Sequence, residues 1–210
     1  MKITKHEHAF LQLEINGSQL LMDPGVYTPA LPETNNVVAI TLSHVHDDHS
    51  YAEHLRVLTK RHPAAKLFGP ADVAQKLDEF DVIVAHHGDH YTVGEFSIDF
   101  FGYLHQEIHR SIPLVQNLGV MINSLYYPGD SYTIPETKVE ILACPSSAPW
   151  LKIGDVIDFV EAVRPKFAFP THNALLSEHG HQLQNSRIRE SAEKFGGEFF
   201  FLEPGQSKEF

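Results

Sequence analysis

TLSHVHDDHS, residues 41–50, sets three histidines and two aspartates into six positions directly after an apolar run. That run, VVAITLS at 37–43, is rich in β-branched residues and suits a buried strand. His44 and His46 stand two apart at its end, and extended backbone would point both imidazoles toward one metal ion. Asp48 and His49 fall where the chain turns into a helix and face a second point nearby. One short turn thus offers ligands to two adjacent cations. Histidine and carboxylate donors suit zinc, iron or manganese. With 15 histidines and 11 aspartates in 210 residues, the string H-x-H-x-D-H arises by chance roughly four times in a thousand. A polar loop without metal is the weaker reading.

Two cations need more ligands than one turn supplies, and apolar runs elsewhere end in them. FSIDFFGYLH closes on His105, SLYYPGD on Asp130 and KFAFPTH on His172, while LLMDPG places Asp23 after another strand. Turns favour aspartate in any protein, so one strand-end carboxylate says little. Four such positions beside the H-x-H-x-D-H string form a pattern.

The remaining sequence reads as alternating strands and helices. AFLQLEI and QLLMD flank an Asn16-Gly17 hairpin turn. Pro24, Gly25, Pro29 and Pro32 make the next stretch a loop. Ala52, Leu55 and Leu58 predict a helix over 50–61, with Ser50 or Asp48 as its cap. AKLFG predicts a strand, PADVAQKLDEF a helix opening on Pro70, and DVIVAHH a strand. FSIDFFGYLH, LGVMIN and SLYYPGD read as three further strands. KVEILAC, KFAFPTHN and EFFFLEPG then read as strands separated by the helices GDVIDFVEAVRP and SRIRESAEKFGG. The mixture fits sheets covered by helices, an α/β or α+β layer architecture, in one domain over 1–210.

Composition narrows the function. The chain is 42% hydrophobic and 20% charged, as ordinary globular proteins are. No apolar stretch approaches the roughly twenty residues a membrane span needs. MKITKHEHAF lacks a signal-peptide core, so a cytoplasmic location is expected. Cys144 is the only cysteine, which excludes an intramolecular disulfide and a thiolate-rich zinc site. A net charge of −11 argues against a nucleic-acid binder. It does not exclude a small anionic substrate, because a bound dication reverses the local potential.

From LMDPG through SHVHDDH, His105 and YPGDS to FPTHN, about residues 3–202, the chain resembles the metallo-β-lactamase-fold superfamily. It is most similar to the compact bacterial branch of L-ascorbate-6-phosphate lactonase-like hydrolases. The resemblance implies a four-layer αββα sandwich with metals at one edge. It implies that His44, His46 and His105 hold one cation, that Asp48, His49 and His172 hold the other, and that Asp130 bridges both. Asp23 would orient ligand imidazoles by accepting their N–H protons. YLHQEIH offers both His105 and His109 as the third histidine; His105 is preferred because it ends the apolar run. His109 would then bind substrate or protonate a leaving group, and Asp48 would help position the nucleophile.

The implied cofactor is two divalent ions, zinc foremost, with manganese or iron as alternatives. The implied reaction is hydrolysis of a small ester, lactone or phosphodiester by a hydroxide shared between the ions. An iron-dependent oxidoreductase and a metal-retaining binding or regulatory protein are the competing readings. A small-molecule substrate is expected, with neither long nucleic acid nor membrane as partner, and oligomeric state is not legible. His86, His87 and His90 read as surface residues or as supports behind the site, and His54 and His62 as solvated. His179 and His181 are expected in a loop. His8 is a candidate for a supporting role, while Tyr27 and the CPSSAPW loop with Trp150 are candidate pocket walls.

Overall fold

The computed structural model describes residues 1–210, which build two seven-stranded sheets. The first sheet begins with β1 (Lys2–Lys5), β2 (Leu11–Ile15) and β3 (Ser18–Met22). Asn16 and Gly17 join the last two as expected, both with positive φ, at 48° and 79°. After β3 the sheet becomes parallel, through β4 (Val37–Thr41), β5 (Lys66–Gly69) and β6 (Val82–Val84). Helices α1 (Ala52–Arg61) and α2 (Ala71–Lys76) make its crossovers.

The second sheet opens with the antiparallel strands β7 (His90–Val93), β8 (Phe96–Phe101), β9 (Gly119–Ile122) and β10 (Leu125–Tyr127). It continues in parallel through β11 (Ile141–Pro145), β12 (Phe167–Thr171) and β13 (Glu198–Phe199). Helices α3 (Ile153–Val163) and α4 (Glu178–Glu193) connect these last strands. The chain then returns to the first sheet, where β14 (Ser207–Glu209) pairs with β1 at its edge.

Side-chain alternation explains the layering. Leu11, Leu13, Leu20 and Met22 of the first sheet meet Phe96, Ile98, Phe100, Leu125 and Tyr127 of the second in one core of 21 buried residues. The opposite faces are apolar too. Leu21, Ile40 and Leu67 pack on Leu55, Leu58 and Val73 of α1 and α2. Met121, Tyr126, Leu142 and Ala168 pack on Val156, Phe159, Val160 and Ile188 of α3 and α4. Each fully buried aliphatic or aromatic side chain contributes about 1.5–3 kcal/mol of transfer free energy. The result is the αββα sandwich. None of its helices is long and apolar enough to cross a membrane.

Several elements depart from the sequence reading. β1, β7 and β14 go unread because KITK, HYTV and SKE are short and carry charge or polarity at the strand positions. β8 stops at Phe101 because Gly102 turns the chain at φ 86°, so His105 lies in a loop and does not end the strand. Helix α1 is capped neither by Ser50 nor by Asp48; its N-cap is Tyr51, and Ser50 Oγ donates instead to the His46 carbonyl. Helix α4 starts eight residues before the predicted SRIRESAEKFGG, where Ser177 Oγ accepts the Gly180 N–H. His179 and His181 therefore ride on a helix, not in a loop.

Strand direction positions the site. β3 and β4 are parallel, so their C-terminal ends leave the first sheet on one side. β8 and β10 are both antiparallel to β9, and β10, β11 and β12 run parallel, so their ends leave the second sheet together. Asp23, the 44–49 segment, His105, Asp130 and His172 all follow these ends.

Candidate metal centre

Beyond β4 the backbone bends at His44 and closes a turn in which His49 N and Ser50 N donate to the His46 carbonyl at 3.0 and 2.9 Å. His44 and His46 meet through this bend, Nε2 to Nδ1 at 3.0 Å, and not through alternation along an extended strand. The loop bearing His105 is tied to the loop bearing Asp130 by Gln106 N, which donates to the Asp130 carbonyl at 2.8 Å. Asn117 fixes the latter loop from both ends. Its Oδ1 accepts from Asp130 N at 2.9 Å, and its Nδ2 donates to the Pro128 carbonyl at 2.9 Å. Gly129 between them has φ 62° and no room for a side chain, since a Cβ would lie 2.4 Å from Asn117 Oδ1.

Three sets of donor atoms lie within 4.8 Å of one another: His44, His46 and His105; His44, His49 and Asp130; and His8, Asp48, His49 and His172. All seven candidate ligands from the sequence therefore come together. His105 is the histidine that joins His44 and His46. His109 lies on the exposed part of the same loop, its Nδ1 paired with Ser111 Oγ at 2.7 Å.

Hydrogen bonds at the outer nitrogens say which way each imidazole faces. His49 Nδ1 meets Asp23 Oδ2 at 2.7 Å, His105 Nδ1 the Gln106 carbonyl at 2.5 Å, and His172 Nδ1 the Ser147 carbonyl at 2.5 Å. His44 Nδ1 meets Ser43 Oγ at 3.0 Å, and that hydroxyl donates onward to Asp23. Each partner accepts, so each Nδ1 carries a proton, and Nε2 is the lone-pair nitrogen of the neutral ring. The Nε2 atoms of His49, His105 and His172, with Oδ1 of Asp130, are buried without any hydrogen-bond partner. Unpaired buried acceptors cost about 1–3 kcal/mol each. Four of them converging is what a cation site requires and what a packed polar core avoids.

Asp130 stands between the groups. Its Oδ1 lies 3.3 Å from His49 Nε2, and its Oδ2 lies 3.3 Å from His105 Nε2 and 3.1 Å from His172 Nε2. Burial alone would raise its pKa, but His172 and His49 hold it well below the usual carboxylate range. Burial likewise opposes ionisation of Asp48, and the neighbouring imidazoles of His172, 3.6 Å away, and His8, 3.2 Å away, pull its pKa well down. Burial disfavours charge on His172 too, yet Asp130 draws a proton onto it and lifts its pKa to about 10. A cation takes the place of such a proton, because ligation needs the neutral imidazole. His44, dominated by burial, stays well below its ordinary value and is neutral.

Asp23 meets the His49 imidazole on its Nδ1 side. Its Oδ1 accepts Ser43 N at 2.7 Å, while its Oδ2 accepts from His49 and, at 3.0 Å, from Tyr127 Oη. Sequence reasoning missed Tyr127, Asn117 and the polar role of Trp150, whose Nε1 donates to Asp130 Oδ2 at 2.8 Å. His8, a candidate for a supporting role, lies with its Nε2 3.2 Å from Asp48 Oδ2. Asp47 is turned outward and paired with Lys76. His90 pairs with Asp99 at the surface, and His86 is exposed. His54 and His62 are partly buried rather than solvated, bonded to the Pro24 carbonyl and Thr34 Oγ1. Cys144 is buried in the outer core with its thiol pKa pushed up by burial, which suits packing and not nucleophilic attack.

The sequence profile of the β-lactamase superfamily domain matches residues 2–172. The chain belongs to the β-lactamase superfamily. Within it, the chain is 31% identical over 196 residues to protein Rv0786c of Mycobacterium tuberculosis, a match covering 90% of this chain and 92% of that protein. It is 26% identical over 193 residues to a UPF0173 metal-dependent hydrolase of Carboxydothermus hydrogenoformans, covering 82% and 84%. Its fold is similar to that of Igni18, a metallo hydrolase of Ignicoccus hospitalis. The TM-score is 0.73 at 18% identity, over 100% of this chain and 98% of that one. This superfamily member thus has the metallo-β-lactamase fold that the motifs implied.

Proposed function

We propose that this protein is a metal-dependent hydrolase with a dinuclear site, acting on a small ester, lactone or phosphodiester. The observation that carries the reading is the set of buried, unpartnered acceptors whose opposite ring nitrogens are all held by acceptors. His44, His46 and His105 would hold one divalent ion, zinc being the first choice for this donor set, with manganese or iron as alternatives. Asp48, His49 and His172 would hold the second, with the Asp130 carboxylate shared between them. When bound, the ions supply Lewis acidity, which acidifies water and stabilises an oxyanion developing at carbon or phosphorus. Asp23 and Ser43 keep the imidazoles of His44 and His49 oriented. Trp150 holds one oxygen of Asp130 and so limits its rotation. No serine or cysteine nucleophile stands in the centre.

The test is metal content measured together with turnover. Protein prepared without chelator and offered zinc or manganese is expected to bind two equivalents and to hydrolyse lactones or bis-p-nitrophenyl phosphate. His46→Ala and Asp130→Ala should keep the fold and lose that turnover. A protein that binds neither metal sinks the proposal. Iron retention with oxygen-dependent turnover of a thiol substrate would move the reading to an oxidoreductase.

A further inference from the structure

His8 lies in the turn between β1 and β2, 1% exposed, and its Nε2 is close enough to Asp48, His49 and His172 to pass for an eighth ligand. Its hydrogen bonds say otherwise. In the four imidazoles facing the centre through Nε2, Nδ1 meets an acceptor. In His8 it meets a donor, the backbone N–H of Ala174 at 3.3 Å. A backbone amide can only donate, so Nδ1 holds the lone pair and Nε2 carries the proton of the neutral ring. That proton points at Asp48 Oδ2, 3.2 Å away.

The backbone of His8 joins in. Its φ of 57° is a left-handed conformation that a non-glycine residue adopts at a cost. In this conformation its carbonyl oxygen accepts the His172 N–H at 2.9 Å. The ring packs against His172 with centroids 3.8 Å apart and against the edge of Tyr27 at 4.8 Å, which leaves it little freedom to rotate. One residue therefore grips the carboxylate of a loop from the first sheet and two backbone N–H groups, of His172 and Ala174, in a loop from the second.

We infer that His8 is a positioning residue for the second cation, presenting Asp48 and His172 to it together from a fixed Nε2–H tautomer without itself being a ligand. The inference rests on the dinuclear reading above. A donor that orients a ligating carboxylate is worth about 10–100-fold in metal affinity.

The experiment compares the wild-type chain with His8→Ala and His8→Gln, using zinc in competition with a chromophoric chelator to read both sites. His8→Ala is expected to weaken the second zinc by about 10–100-fold and to leave the first unchanged. His8→Gln keeps an N–H donor and is expected to recover most of the loss. Nitrogen-15 spectra of the zinc-loaded wild type should show His8 protonated at Nε2, and this readout stands even where His8→Ala fails to fold. A metal-bound Nε2 signal at His8, or equal losses in the two variants, overturns the inference and makes His8 a ligand or a packing residue. Wild-type protein that binds two zinc ions alongside an unimpaired His8→Ala overturns the role of His8 alone. Wild-type protein that binds none overturns the dinuclear reading as well.

Discussion

A single ring nitrogen separates His105 from His109, four residues apart on one loop. His105 is buried, with Nδ1 donating to a carbonyl and Nε2 free toward Asp130. His109 is exposed and bonded to Ser111 on its own loop. His105→Ala should therefore cost one cation its third imidazole, lowering zinc content after dialysis from two equivalents toward one. His109→Ala should leave zinc content at two, and a loss of metal there would reverse the assignment. Lys5 gives a different residue-scale prediction. Burial pushes its pKa from 10.5 down to about 8, against the pull of Glu7 and Glu203. Below pH 8 the lysine is charged in both folded and unfolded chains, and the burial penalty is present in full. Between pH 8 and 10.5 the folded chain gives up the proton first, so stability should rise with pH across that window. The penalty is up to about 3 kcal/mol. Lys5→Met should gain about 1–3 kcal/mol at pH 7 and lose the rise, as urea unfolding at pH 7 and pH 10 would show.

At the scale of elements, the loops bearing the candidate ligands were legible because each follows an apolar run and ends in an unusual residue. His44, His46, Asp130 and His172 could be placed that way, and strand direction then brings them to one edge. The end of β8 was not legible, since FSIDFFGYLH is apolar up to His105 and only the positive φ of Gly102 reveals the break. Nor were the partners of the candidates Trp150 and His8, whose contacts with Asp130 and Asp48 cross 20 and 40 residues of chain. A pattern read along one strand carries no information about such contacts. Gly25 is a further case, readable from DPG only as a turn. Its missing side chain lets the Asp23 loop lie against the Asp48 loop, where an added Cβ would sit 1.7 Å from the Asp48 carbonyl oxygen. Val26 N, donating to the Asp47 carbonyl at 2.9 Å, pins the two loops there. Gly25→Ala must push them apart. It should cost at least about 2 kcal/mol in chelator-treated protein, within the range for overpacking. It should also weaken zinc at the Asp48 site more than at the His44 site, and equal affinities would show that the loops move without disturbing the ligands.

Across the whole molecule, the candidate ligands are divided between the two sheets. The 44–49 segment comes from the first, and His105, Asp130 and His172 come from the second. The sheets already share a core of 21 buried residues, so the fold does not depend on metal for its existence. What metal changes is the edge, where the buried acceptors of His49, His105, His172 and Asp130 face one another unpaired. A cation bound only by the folded chain stabilises it by RT ln(1 + [L]/Kd), about 4 kcal/mol at a thousandfold excess over Kd. For a chain of this length 1 kcal/mol corresponds to about 2–4 °C in Tm. Zinc-loaded protein should therefore melt about 8–16 °C above the same protein stripped by chelator, with the gap closing in His46→Ala and Asp130→Ala. Because the candidate ligands join both sheets, hydrogen exchange should slow on loading in the β4–α1, β8–β9, β10–β11 and β12–α4 loops together. Protection confined to the 44–49 segment would mean that the first sheet binds metal alone, and that the convergence of the seven residues does not hold a dinuclear centre.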